Sequence, residues 1–166
     1  MFLRATLALA CCAFIAPAAM ADLFFFRCDM NGLNEVPPNN SPGTGKALLT
    51  FDDTTSMLTL TSGTYQDLLA NSVGAHVHIG QAGVNGPIII HLTHSNSTSG
   101  VLTGSGPLNA QQITALFSAG LYINVHSTLF PGGEIRGQIL AIPSPGAIAL
   151  LPLSAWVTRP GRRRGG

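Results

Sequence analysis

The chain has 166 residues, 46% of them hydrophobic and 9% charged, with a net charge of +1. That length holds one domain plus addresses at the ends. From Asp22 to Leu140 the cations are only Arg27, Lys46 and Arg136 against seven acids, a balance of −4, and an acidic domain with no basic patch argues against nucleic acid as a partner.

The chain opens MFLRATLALACCAFIAPAAMA. Arg4 gives a positive start, Ala5 to Ile15 is an apolar run too short to span a bilayer, and Ala19-Met20-Ala21 is a small-x-small cleavage pattern. Residues 1–21 are therefore expected to be a signal peptide, cut by signal peptidase between Ala21 and Asp22. Cleavage removes Cys11 and Cys12 and leaves Cys28 alone, so no internal disulfide can form. A buried, inert thiol is the expectation for Cys28.

Leu23 to Arg27 (LFFFR) opens the first strand, and the Pro- and Asn-rich stretch 37–43 ends it in a loop. KALLTF (46–51) and MLTLTSGTY (57–65) flank the turn Asp52-Asp53-Thr54-Thr55 and read as an antiparallel hairpin, the second with clear period-2 alternation. AHVHI (75–79) and PIIIHL (87–92) form a second pair, and VLTGSGPL (101–108) is a weaker strand broken by glycine. Asn109 then caps the one helical segment, with Gln112 placed for a capping box, Ile113, Leu116 and Phe117 on one face, and Gly120 positioned to end it. LYINVHS (121–127) and GEIRGQIL (133–140) make a closing hairpin. Seven or eight short strands and one short helix predict an all-β domain over residues 22–140, a β-sandwich or a flattened barrel.

Residues 141–166 read as a separate C-terminal segment. A proline-rich break is followed by a short apolar stretch, Gly146 to Val157, and then Arg159, Arg162, Arg163 and Arg164. The stretch is short for a transmembrane helix and Pro152 interrupts it, but an apolar run ahead of arginines is how a stop or sorting signal holds its orientation.

The segments GLNEVPPNNSPGTGKA, AHVHIGQAGVNGPIIIHL and GLYINVHSTLFPGGEIRGQI occur in that order across residues 31–140. In this the chain resembles the CHRD domain, named after chordin. The resemblance implies an antiparallel β-sandwich, immunoglobulin-like or a superoxide-dismutase-like Greek key, in an exported bacterial protein. The tail is similar to a PEP-CTERM sorting signal, with Pro143-Ser144-Pro145-Gly146 standing where that family has Pro-Glu-Pro. That likeness implies an exosortase-type sorting enzyme, transient contact with the inner membrane of a Gram-negative-type bacterium, and a final place on the cell surface, in the extracellular matrix or in the medium.

His76 and His78 lie at i and i+2, so on a strand both rings leave from one face. A third imidazole, His126, falls in the closing hairpin, where it can approach them. Three imidazoles suit copper or zinc. A short likeness to copper–zinc superoxide dismutases, His76-Val77-His78 with Asn124-Val125-His126 and Arg136, points the same way, although the long zinc loop and the disulfide of those enzymes are missing. Two other readings stay open. The histidines can belong to a buried polar network with Asn124 and Arg136 beside the glycine-rich loop, or they can hold an anionic or sugar ligand. Glu134 is a candidate to accept a ring proton or to ligate, and its alternation with Arg136 across Ile135 predicts that both face one way, as an ion pair. Glu35 is expected to pair with Arg136 or to fix its own loop. His91 and His94 read as solvent-exposed. No nucleophile set is visible. The expected function is thus a non-enzymatic, exported binding or structural module of the cell surface or extracellular matrix, with an unknown surface or matrix ligand; the alternative is a copper- or zinc-binding domain, redox-related in one form.

Overall fold

The computed structural model describes residues 22–143. The expected signal peptide with Ala21, and Ser144, Pro145, Gly146 and the rest of the tail, lie outside the described residues; Asp22 and Pro143 lie at their two ends. Within them are nine strands: β1 (Leu23–Asn31), β2 (Thr44–Asp52), β3 (Met57–Gln66), β4 (Ser72–Ile79), β5 (Ile88–His91), β6 (Thr93–His94), β7 (Gly100–Pro107), β8 (Leu121–Ser127) and β9 (Ile135–Ala141). One helix, α1 (Ala110–Phe117), stands between β7 and β8. All strand pairs are antiparallel.

The strands form a single sheet in the order β5-β4-β8-β9-β1-β2-β3-β7-β6. Of the two architectures expected, a β-sandwich and a flattened barrel, the sandwich is corrected here: the sheet curls until it nearly closes into a barrel. The reason lies in the two edge strands. β5 and β6 are consecutive in the chain, separated only by Leu92. The first half of this run pairs with β4, through His76 opposite His91 and Val77 opposite Ile90. The Leu92 amide then donates to Ala75 O at 2.9 Å, and the second half pairs with β7, through Thr93 opposite Thr103 and His94 opposite Leu102. One stretch of chain thus spans both edges. The glycines that made β7 look weak allow it. A β-carbon at Gly106 would stand 2.9 Å from Ile90 Cγ1, and one at Gly104 would stand 2.8 Å from Leu92 Cδ2.

Alternation puts Phe26, Cys28, Met30, Leu49, Phe51, Val77, Ile123, Val125 and Ile139 in one interior core. Cys28 is buried there, its thiol donating to Gly137 O at 3.1 Å, and burial pushes its pKa up to about 12. α1 carries the expected capping box, Asn109 with Gln112. It buries Leu116 and sets the Phe117 ring edge-on against Phe24, Phe26 and Phe51. Its end differs from expectation. The left-handed residue is Ala119 (φ 56°), not Gly120, and the Gly120 amide reaches back to Ala115 O at 2.7 Å.

Candidate metal centre

The pleat that sends Ala75 and Val77 into the core turns His76 and His78 outward on β4. On the neighbouring strand β8, Ile123 and Val125 point inward, and Tyr122, Asn124 and His126 outward. The register sets His78 opposite Tyr122, His76 opposite Asn124 and Gly74 opposite His126. His126 is therefore a diagonal neighbour of His76, within reach of a long side chain. Gly74 offers no side chain under the two rings: a β-carbon there would stand 3.2 Å from His76 Cε1 and 3.6 Å from His126 Cδ2. One donor atom from each of His76, His78 and His126 falls within 4.8 Å of the others.

Backbone carbonyls hold two of the rings. His126 Nδ1 lies 2.9 Å from Pro131 O and His78 Nδ1 lies 2.8 Å from Gly86 O. A carbonyl only accepts, so each Nδ1 carries its proton and each Nε2 keeps a free lone pair. His126 Nε2 then accepts from His76 Nδ1 at 3.0 Å. His78 Nε2 is buried and has no hydrogen-bond partner, and neither has Asn124 Oδ1. Unpartnered buried polar atoms are uncommon in folded proteins. All three rings favour the neutral form. Burial, followed by the neighbouring histidines, lowers His76 to about 4. Burial also lowers His78, against the pull of Gly86 O and the Asn124 side chain, and it lowers His126 against Pro131 O. Neutral imidazole is the form that binds a metal.

Arg136 works beside this cluster. Its Nη1 donates to Asn85 Oδ1 at 3.1 Å, and its Nη2 to Gln81 O at 3.0 Å, Val84 O at 2.9 Å and Gln138 Oε1 at 3.2 Å. The guanidinium carbon lies 3.4 Å from the centroid of the Tyr122 ring, which itself stacks with His78 at 4.8 Å and 8°. Arg136 thus clamps the glycine-rich loop 80–87, and that loop supplies the Gly86 carbonyl that orients His78.

Neither carboxylate expected near Arg136 pairs with it; among the described residues the one ion pair is Arg27–Asp29 at 2.9 Å. Glu134 precedes β9, which begins at Ile135, and Gly133 before it has φ 134°. Strand alternation therefore does not extend to Glu134. Its carboxylate instead accepts from Ser41 Oγ and the Leu69 amide, both at 2.6 Å, away from the histidines. Glu35 is buried against Gly133. Burial raises its pKa to about 7, and the charge of Arg136 acts on it without a direct bond.

Two histidines set aside by sequence also lie here. His91 is exposed, as expected, but faces His76 across β4 and β5, ring centroids 4.9 Å apart at 87°. His94 is half-buried, with Nδ1 3.0 Å from Ser72 Oγ. The missed signal was strand pairing: in this register the histidine that opens HVHI stands opposite the one that closes IIIH.

Neither a curated protein nor a solved structure matches the chain. Residues 26–139, well over half its length, match the family model of the CHRD domain. The matched span begins within β1, ends within β9 and includes every histidine, so the imidazole cluster is a feature of the matched domain itself; the chain belongs to the CHRD domain family.

Proposed function

We propose that this CHRD domain binds a transition-metal ion, copper or zinc, through His76, His78 and His126. The observation that carries the reading is the pair of Nδ1–carbonyl bonds, His78 to Gly86 O and His126 to Pro131 O, that leave both Nε2 atoms without a proton in a group of three imidazoles whose donor atoms lie within 4.8 Å of one another. Metal-bound histidines characteristically donate their other ring N–H in this way. A bound ion would take the place of the proton now shared by His76 Nδ1 and His126 Nε2. Asn124 and Arg136 would hold the surrounding geometry, and neither Glu134 nor Glu35 would ligate.

The wider role is proposed as non-enzymatic: an exported module of the cell surface or extracellular matrix, delivered by its signal peptide and held transiently at the inner membrane through its tail. What supports this is the sequence at both ends and the lack of a carboxylate base beside the three imidazoles among the described residues. The test is thermal melting of the purified protein with and without copper(II) or zinc(II). A site that binds the folded form alone raises the melting temperature, by about 2.7 kcal/mol of added stability at free metal a hundredfold above Kd. His76→Ala should abolish the rise. A melt that neither metal shifts near neutral pH rules the reading out.

A further inference from the structure

The alternation that buries Phe26 and Cys28 turns Leu23, Phe25 and Arg27 outward on β1. On β2 it turns out Leu48, between the buried Ala47 and Leu49. At the end of β9, Leu140 and Ile142 are exposed in the same way beyond the buried Ile139. The register gathers these side chains. Arg27 stands opposite Leu48 on one side and opposite Leu140 on the other, and the Ile142 amide donates to Phe25 O at 2.8 Å. Arg27, the charge between the two leucines, turns its head to Asp29 at 2.9 Å. Three adjacent strands, β9, β1 and β2, thus carry one apolar face on the outside of the barrel, made of Leu23, Phe25, Leu48, Leu140 and Ile142. Exposed apolar residues scattered singly need no partner, but a contiguous face marks a protein or membrane contact.

The chain that leaves this face points to what covers it. Ile142 is followed by Pro143, Ser144 and Pro145, and the apolar stretch of the tail then begins at Gly146. Four residue steps reach no further than ~14 Å. The expected signal peptide joins at the same end, through Asp22 ahead of Leu23. A face on so short a tether meets the bilayer that holds the tail at high effective concentration. The acids Asp52, opposite Leu23, and Asp53, whose amide donates to Asp22 O, stand at its rim, so attraction to anionic headgroups is not what favours the contact.

We infer that this face is a membrane contact: while the tail holds the protein at the inner membrane, Phe25, Leu140 and Ile142 lie against lipid. This inference rests on the attachment through the tail proposed above. The test uses the chain from Asp22 to Gly166 and vesicles of phosphatidylcholine. Trp156, the one tryptophan, lies within the apolar stretch, so its emission follows the tail. Cys28 is buried, so a cysteine introduced at an exposed position takes an environment-sensitive thiol label selectively. One labelled variant is Phe25→Cys; the other is Leu129→Cys, exposed in the β8–β9 connection at the far end of β9. With vesicles, the Trp156 emission and the label of Phe25→Cys should both shift to the blue, and the label of Leu129→Cys should not. Phe25→Ser combined with Leu140→Ser should weaken vesicle binding about 10-fold or more, the low end of what burying two half-exposed apolar side chains is worth, and should leave the melt without vesicles unchanged. If Trp156 shifts and the label of Phe25→Cys does not, the tail attaches without the domain and the inference falls alone. A label of Phe25→Cys that is already blue-shifted without vesicles means that the tail or a second copy of the chain covers the face, and overturns a lipid partner. A Trp156 emission that vesicles leave unchanged overturns the attachment through the tail and this inference with it.

Discussion

Arg136 is 1% exposed and has no carboxylate partner, yet its charge is well compensated. Carbonyl and amide oxygens accept its N–H groups, and the Tyr122 ring lies against its plane. Glu35 is the residue left at a disadvantage. Its Oε1 is buried and unpartnered, and its pKa rises from 4.5 to about 7. A carboxyl whose pKa is raised by folding contributes stability that is complete below pH 4.5 and is lost as pH climbs through about 7. Glu35→Gln keeps the shape and removes the charge. It should match the unaltered protein at pH 4.5 and exceed it at pH 8 by about 2 kcal/mol, a figure discounted from the full shift because the carboxyl retains some water. His76 has the opposite sign. Its pKa falls from 6.5 to about 4, so its contribution is present above pH 6.5 and is lost on acidification toward 4. The two groups oppose each other between pH 4.5 and 6.5. With a chelator present, melts of Glu35→Gln should therefore drop across that window more steeply than those of the unaltered protein; equal slopes would show that Glu35 is already ionised there. At this scale the sequence revealed what period-2 spacing controls. His76 and His78 share a face because nothing interrupts β4 between them, and Glu134 misses its predicted face because strand geometry begins one residue later.

At the scale of elements, local chemistry was legible where it is self-contained. The α1 cap was readable because Asn109 and Gln112 satisfy each other's backbone amides with no outside help. The other end was not, because tertiary contact decides it. A β-carbon at Gly120 would stand 3.0 Å from Gln81 Nε2 and 3.2 Å from Ala115 O. The small residue is needed at that close approach, and the left-handed turn falls to Ala119. An alanine in that conformation costs about 1 kcal/mol or slightly more. Ala119→Gly should therefore raise stability, because relief of the strained φ outweighs the added freedom of the unfolded chain. Denaturant melts should show a higher midpoint at unchanged slope. A lower midpoint would mean that the Ala119 methyl contributes more to packing than its conformation costs. His91 belongs to this scale too: it was legible as an exposed strand-end residue but not as a neighbour of His76, since the register of β4 with β5 depends on the conformation of the loop 80–87, which Arg136 clamps from β9.

For the whole molecule, alternation specifies which residues face the core but not whether the sheet splits into two layers or curls round. The antiparallel all-β class was therefore readable, but the choice between a sandwich and a flattened barrel was not. Closure depends on the run Ile88 to His94 changing partners at Leu92, and on two glycines in β7 that admit Ile90 and Leu92. Gly106→Val tests this directly. The added β-carbon would press on Ile90 Cγ1 and Cδ1, at 2.9 and 3.1 Å, and the branch would extend the clash. Overpacking of this kind costs typically ~1–3 kcal/mol, and the barrel can relieve it by parting β5 and β6 from β7. Native-state hydrogen exchange should then show lost protection where β6 pairs with β7, at Thr93, His94, Leu102 and Thr103, with the amides of β1 and β2 unaffected. Uniform loss of protection across all nine strands would instead mean that the seam is no separate unit and that the barrel opens only when the whole domain unfolds.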